Sequence, residues 1–164
     1  MKPPRHWLLK SEPEVFSFDD LWRASKRTTS WGGVRNYQAR NLLRDELARG
    51  DLVLFYHSST EPSGVAGLAR VVRAGYPDPA QFDPGDPGHD PGSTPAAPRW
   101  YAVDVQALAR LPRFVPLAEL RAEPRLKGMV LLRRGSRLSV QPVTPAECRI
   151  VLSMAGWKGA LPGS

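Results

Sequence analysis

Within eleven residues the chain places Trp31-Gly32-Gly33-Val34-Arg35-Asn36-Tyr37-Gln38-Ala39-Arg40-Asn41. Trp31 and Tyr37 offer flat faces on which a nucleobase can stack. Asn36, Gln38 and Asn41 carry amides that both donate and accept at a base edge, and Arg35 and Arg40 carry planar cationic forks suited to phosphate. The glycine pair lets the backbone approach a ligand closely. Gripping one base drawn out of its stack requires these ingredients together. Each residue also has a plainer reading: Trp31 as a core plug, Asn36 as a helix cap, Arg40 and Arg44 as a solvated face. Their concentration favours a binding site. Ser11-Glu12 at one strand end and Tyr56-His57-Ser58 at another are candidates to share it.

The motifs of catalysis are sparse. His6, His57 and His89 lack a second ligand at metal-binding spacing, and the single cysteine, Cys148, excludes a multi-cysteine zinc site. No Gly-x-Ser-x-Gly elbow, P-loop or dinucleotide fingerprint is present. Cys148 falls inside an amphipathic helical pattern, which suits a packing residue better than a thiolate. Of the carboxylates Glu12, Asp51 and Asp104, Glu12 beside Pro13 is the best candidate acid or base. No cofactor is implied.

These residues need a scaffold. His6 to Lys10 reads as a short strand running into Ser11-Glu12-Pro13. Ser17-Phe18-Asp19-Asp20 is a capping signal for a brief helix carrying Leu21 and Trp22. The run from Asn36 to Leu47 has helical spacing, with Ala39, Leu43 and Leu47 on one face and Gly50 as a stop. Leu52 to His57 is a buried strand, and Val65 to Val72 is another, with Gly67 a bulge or point of close approach. Trp100 to Gln106 is a third, and Pro116 to Leu120 forms a helical turn. Thr144-Pro145-Ala146-Glu147 opens a helix with a threonine cap, proline at the first position and glutamate three residues on. Between 77 and 99, proline alternates with glycine and aspartate, and the segment reads as an irregular, mobile loop with little to add to a core. Strands and helices mix without a βαβ rhythm, so the expected class is α+β: a mixed sheet curved into an open barrel with flanking helices.

The chain has 164 residues, enough for one core without disulfides. It is expected to be a single domain over 1–157 with a short flexible tail at 158–164. With 23 Lys and Arg against 16 Asp and Glu, the formal net charge is +7, which favours a polyanionic partner. No apolar run reaches the length of a membrane helix, and no apolar signal core follows the basic start. The reading is a cytoplasmic, monomeric binder of nucleic acid that does not engage a membrane.

Longer motifs add a resemblance. His6-Trp7-Leu8-Leu9-Lys10-Ser11-Glu12-Pro13 and the 31–41 segment resemble the EVE domain. So do Phe55-Tyr56-His57-Ser58, Gly67-Leu68-Ala69, Val103-Asp104-Val105 and Arg137-Leu138-Ser139-Val140-Gln141-Pro142-Val143-Thr144. The resemblance implies a PUA-like fold, a curved and mostly antiparallel pseudo-barrel related to YTH and ASCH domains. It implies recognition of a modified base, with 5-methylcytosine or 5-hydroxymethylcytosine in DNA foremost. Carried over by position, the base pocket would involve Lys10, Ser11, Glu12, Trp31, Val34, Asn36, Tyr37, His57 and Ser58, with Arg137, Ser139 and Gln141 beside it. Arg35, Arg40 and Arg44 are the candidate phosphate contacts. The alternatives are an enzyme acting on a modified nucleotide or nucleobase, a modified-RNA binder, and an adaptor for a free anionic metabolite.

Overall fold

The computed structural model describes residues 3–160. Met1, Lys2 and the part of the expected tail from 161 onward lie outside the described residues. Six strands make one sheet: β1 (His6–Ser11), β2 (Thr28–Trp31), β3 (Leu52–His57), β4 (Gly64–Pro77), β5 (Tyr101–Pro116) and β6 (Val140–Val143), in the order β2-β5-β4-β3-β1-β6. β1 and β3 run parallel, with His6 opposite Leu52 and Ser11 opposite His57. All other pairings are antiparallel. The helices are α1 (Phe18–Arg23), α2 (Tyr37–Asp45), α3 (Leu117–Ala122) and α4 (Pro145–Met154). This is the mixed, mostly antiparallel α+β sheet with flanking helices that the sequence implied.

Period-two alternation divides the apolar side chains between the two faces of the sheet. Trp7, Leu9, Val53, Phe55, Val71, Val103 and Val105 point to the first face and form one core with Phe18 and Leu21 of α1 and Ala39 and Leu43 of α2. Trp31 from one edge strand and Val140 from the other belong to this same cluster, so the sheet curls until its two edges share a core. Leu8, Leu54, Tyr56, Leu68 and Val115 point to the second face, which α3 and α4 cover through Leu120, Val151 and Leu152. Register shifts along the β4–β5 pair, at Val65/Gly67 and at three further points, supply the twist that such curling needs.

Local signals fixed the helix starts. The Ser17 hydroxyl accepts the Asp20 N–H at 3.0 Å while the Asp20 carboxylate accepts the Ser17 N–H at 2.8 Å. Thr144 and Glu147 repeat this reciprocal arrangement at α4. Asn36 Oδ1 accepts the Ala39 N–H at 2.9 Å and caps α2. Gly67 is a point of close approach: a Cβ there would overlap the Phe18 ring.

Three expectations need correction. The strands expected over 65–72 and 100–106 continue to Pro77 and Pro116. Past Val72 the first runs Arg73-Ala74-Gly75, and past Gln106 the second is interrupted by Arg110, Pro112 and Arg113, so neither extension shows an unbroken apolar run, and backbone pairing carries the ladder. β2 and β6, four residues each, were not anticipated as strands. The 77–99 segment does contribute to the interior. Gln81 is fully buried, donates to the carbonyls of Asp78 and Trp100 at 2.8 Å each, and accepts from Ser93 Oγ and from the N–H groups of Arg99 and Trp100. A buried amide that uses both its donors and its carbonyl ties down an excursion whose own composition could not.

Candidate functional site

Where the curled sheet brings its edges together, the C-terminal end of β1 and the residues after β2 border an open cavity of about 640 Å³, within the usual range for a small-molecule pocket. Lys10, Ser11, Glu12, Trp31, Val34, Arg35, Asn36 and Ser139 line it, together with Val15, Phe16, Thr29, Ser30, Gly32 and Gly33. The 10–12, 31–36 and 139 segments named from sequence therefore meet around one hollow.

Trp31 forms an apolar wall. Its ring is held edge-on against Phe55, with centroids 5.4 Å apart and planes at 90°, and it keeps 8% of its surface exposed. Val34 packs partly against the same core. Polar groups sit around this wall. Ser11 Oγ donates to the Phe16 carbonyl at 2.6 Å, which closes the turn after β1 and leaves the hydroxyl's lone pairs for a ligand. Asn36 commits its carbonyl oxygen to the α2 cap, so its amide N–H groups remain to donate. Glu12 is exposed on the rim. Lys10 reaches elsewhere: its ammonium lies 5.9 Å from the Tyr56 ring centroid, and burial pushes its pKa down. Tyr56 belongs to the second-face core, so the Lys10 ammonium lies toward that face of the sheet.

Asp78, which the sequence did not single out, shapes the wall from behind. Burial pushes its carboxyl up, but the Gly33 N–H at 2.8 Å, Arg35 at 3.0 Å and the Ala80 N–H at 3.1 Å together hold it below the usual carboxylate range. Gly33 has a φ of +74°, which explains glycine there. A Cβ on Gly32 would press against the Asp78 carboxylate at 3.0 Å. No local pattern could have paired 33 and 35 with 78.

Five expected pocket residues stand outside the cavity. Tyr37 is 54% exposed and stacks on Trp100, with centroids 4.8 Å apart and planes at 25°. It is the first residue of α2, so its ring turns outward past the Asn36 cap. His57 Nε2 accepts the Phe18 N–H at 3.0 Å, so its lone pair serves α1. Burial holds its pKa below the usual value, against the opposing pull of Asp19 and Asp20. Ser58 continues the β1–β3 ladder through its N–H to the Ser11 carbonyl at 2.9 Å. Gln141 is 1% exposed and points its amide at Leu138 O, and Arg137 is exposed. The three candidate phosphate contacts are also engaged. Arg35 donates to Asp78 and to the Gly88 and Val34 carbonyls. Arg40 bonds Asn41 and the Arg99 carbonyl, and Arg44 makes a two-point pair with Asp45.

Of the carboxylates weighed for catalysis, Glu12 stands exposed at the cavity, and the other two have structural partners. Asp51 accepts from Trp7 Nε1 and from the N–H groups of Arg5 and Ala48. Asp104 accepts from the Tyr76 hydroxyl. Burial pushes the Cys148 thiol up to about 12, far from a thiolate at neutral pH. Among the described residues, no three His, Cys, Asp or Glu side chains gather as a metal site, and no helix is long and apolar enough to cross a membrane.

A curled, mixed six-stranded sheet with an aromatic and polar cavity between its converging edges defines the class as an open-sheet α+β protein, in keeping with the PUA-like fold that the resemblance implied. The chain belongs to the EVE domain family, whose family model matches residues 5–154. It is 45% identical over 166 residues to thymocyte nuclear protein 1 of Homo sapiens, covering 91% of this chain and 73% of that protein. The crystal structure of human THYN1 protein in complex with 5-methylcytosine containing DNA superposes with a TM-score of 0.87 at 44% identity, covering 94% of this chain and 99% of the other. A YTH domain of Zygosaccharomyces rouxii superposes with a TM-score of 0.50 at 18% identity over 100% of this chain and 94% of its own, a likeness of fold.

Proposed function

We propose that the protein binds nucleic acid by taking one flipped-out, modified base into the cavity between Ser11–Glu12 and Trp31–Asn36, with 5-methylcytosine or 5-hydroxymethylcytosine in DNA as the base. The observation that carries this reading is the lining itself. An indole and a valine line the same hollow of about 640 Å³ as residues that carry hydroxyl, amide and carboxylate groups. The similarity to THYN1, crystallised with 5-methylcytosine containing DNA, supports the choice of base.

Extruding a base from duplex costs a few kcal/mol, and contact with an aromatic face returns about 1–3 kcal/mol per base. Glu12 accepts from the cytosine amino group and Asn36 donates to an acceptor on the same edge. Val34 meets the 5-methyl group, where one methyl is worth about 1 kcal/mol. That is modest discrimination, so a hydroxymethyl group gains more where it donates to the Ser11 oxygen. The protein acts as a binder, with the base released unchanged.

Fluorescence anisotropy on matched duplexes carrying cytosine, 5-methylcytosine or 5-hydroxymethylcytosine, alongside methylated RNA and free nucleosides, tests this directly. The modified duplexes are expected to bind several-fold more tightly than the plain one. Equal affinity across the panel would remove the reading, and a new product detected by mass spectrometry would replace it with catalysis.

A further inference from the structure

The arginines of the 35–44 stretch are tied to Asp78, Asp45 and backbone carbonyls, so a polyanion would find its cations elsewhere. From Pro124 to Ala146 the chain contains no aspartate or glutamate but carries Arg125, Lys127, Arg133, Arg134 and Arg137. Three of these, Arg133, Arg134 and Arg137, fall on one exposed turn just before β6. Among the described residues, none of the three enters an ion pair, whereas Arg125 is paired to Glu123.

This turn adjoins the cavity. Two residues past Arg137, Ser139 lines the wall and its carbonyl accepts the Lys10 N–H at 2.9 Å. Gly135, at a φ of +75°, reverses the chain, and the Ser136 N–H closes the turn on the Arg133 carbonyl at 3.1 Å. From beneath, the buried Gln141 amide donates to the Leu138 carbonyl at 2.8 Å and to Ser136 Oγ at 3.4 Å. The backbone is thus braced while the three guanidiniums stay in water.

We propose that the Arg133–Arg134–Arg137 turn binds the phosphodiester backbone beside the nucleotide held in the cavity. Gln141 is its positioning residue. This rests on the base-binding reading for its register, since Ser139, two residues beyond the turn, lines the cavity. The chemistry is a row of diester anions met by adjacent guanidinium forks, each contact releasing condensed counterions.

The test is a salt series of anisotropy titrations on modified and plain duplexes, using the full chain, the R133A/R134A double variant, R137A and the comparator R44A. Circular dichroism confirms folding, and the substituted side chains are exposed. The slope of log K against log salt should become shallower by about 0.9 per arginine removed, so about 1.8 for the double variant. Both duplexes should weaken equally, leaving the modified-to-plain ratio within twofold, and R44A should move the slope by less than half of one contact. An unchanged slope in the double variant overturns the proposal. So does a collapse of the ratio at constant slope, which would move the turn to the base edge. Full competition by millimolar inorganic phosphate would also overturn it, assigning a small-anion site. If the wild type shows no preference for a modified base, the cavity reading fails alone, and the slope still decides whether this turn carries the backbone.

Discussion

His57 Nε2 accepts the backbone N–H of Phe18 at 3.0 Å, so an imidazole on β3 caps the first turn of α1 beside Ser17. The ring lies between Phe55 and Phe114, with centroids 5.7 and 6.3 Å away. Burial favours its neutral form, and Asp19 and Asp20 oppose this less strongly. Protonation would turn the acceptor into a donor facing another donor, at the positive end of a helix. His6 shifts the same way, with burial again the largest cause.

The sign of the pH dependence follows. Both histidines have folded pKa values below the ordinary 6.5, so the unfolded chain binds more protons as pH falls through that range. Their stabilisation is complete above about 6.5 and is lost as pH drops through the lowered folded values. Urea midpoints should therefore fall between pH 7.5 and 5 at constant m. In His57→Gln, whose amide oxygen can still accept, the drop should shrink. An identical pH profile for the variant and the wild type would show that His57 carries none of this dependence.

Gly67→Ala should destabilise by about 1–3 kcal/mol, the usual cost of overpacking a core. The Phe18 ring occupies the space that the new methyl needs, and it is itself fixed by Phe55 at 5.5 Å and Trp22 at 6.1 Å. Phe18→Leu, made in the Gly67→Ala background, should recover part of the loss. A double-mutant cycle in thermal or urea denaturation gives the coupling, and purely additive losses would mean that the two residues do not compete for space.

The sequence was most legible where local chemistry decides structure. Ser17/Asp20 and Thr144/Glu147 are reciprocal caps readable from residue spacing alone, and both formed. The strand 52–57 announced itself by an unbroken apolar run, and Gly67 by its position inside a strand pattern. The cavity was half legible. Segments 10–12 and 31–36 meet as their composition suggested, but composition cannot say which way a ring points. Tyr37 stacks on Trp100, sixty-three residues later, and His57 caps a helix. Asp78 and Gln81 were invisible for the same reason. They lie in a stretch that reads as proline-rich loop, and their importance comes from long-range partners at Gly33, Arg35 and Trp100.

Trp31→Ala should abolish any preference for a modified base while leaving weak, salt-sensitive binding. The indole is the large aromatic wall of the cavity, whereas the arginines proposed to meet phosphate, Arg133, Arg134 and Arg137, are not among its lining residues. The substitution also opens a core that includes Phe55, at a cost of about 3–5 kcal/mol. Trp31→Phe is therefore the companion: it keeps an aromatic face and most of the packing, and should retain part of the preference. Full selectivity in a folded Trp31→Ala protein would remove the indole as the platform.

Asn36 has two separable duties, which makes it the most informative single position. Its carbonyl oxygen caps α2 through the Ala39 N–H at 2.9 Å, while its amide N–H groups take no part in the cap and the residue lines the cavity. Asn36→Asp keeps an oxygen at the cap, where aspartate is as good as asparagine. It removes the donors and adds a negative charge beside an incoming phosphodiester. Stability should then stay within about 0.5 kcal/mol of wild type, while affinity for a modified duplex falls tenfold or more. Asn36→Ala separates the duties from the other side. It loses the cap, worth about 1 kcal/mol, and also the donors, without the repulsion. If the residue only caps the helix, Asn36→Asp will bind like wild type and Asn36→Ala will lose stability alone. Thermal denaturation and anisotropy on the same three proteins decide between a cap and a cap that also reads the base.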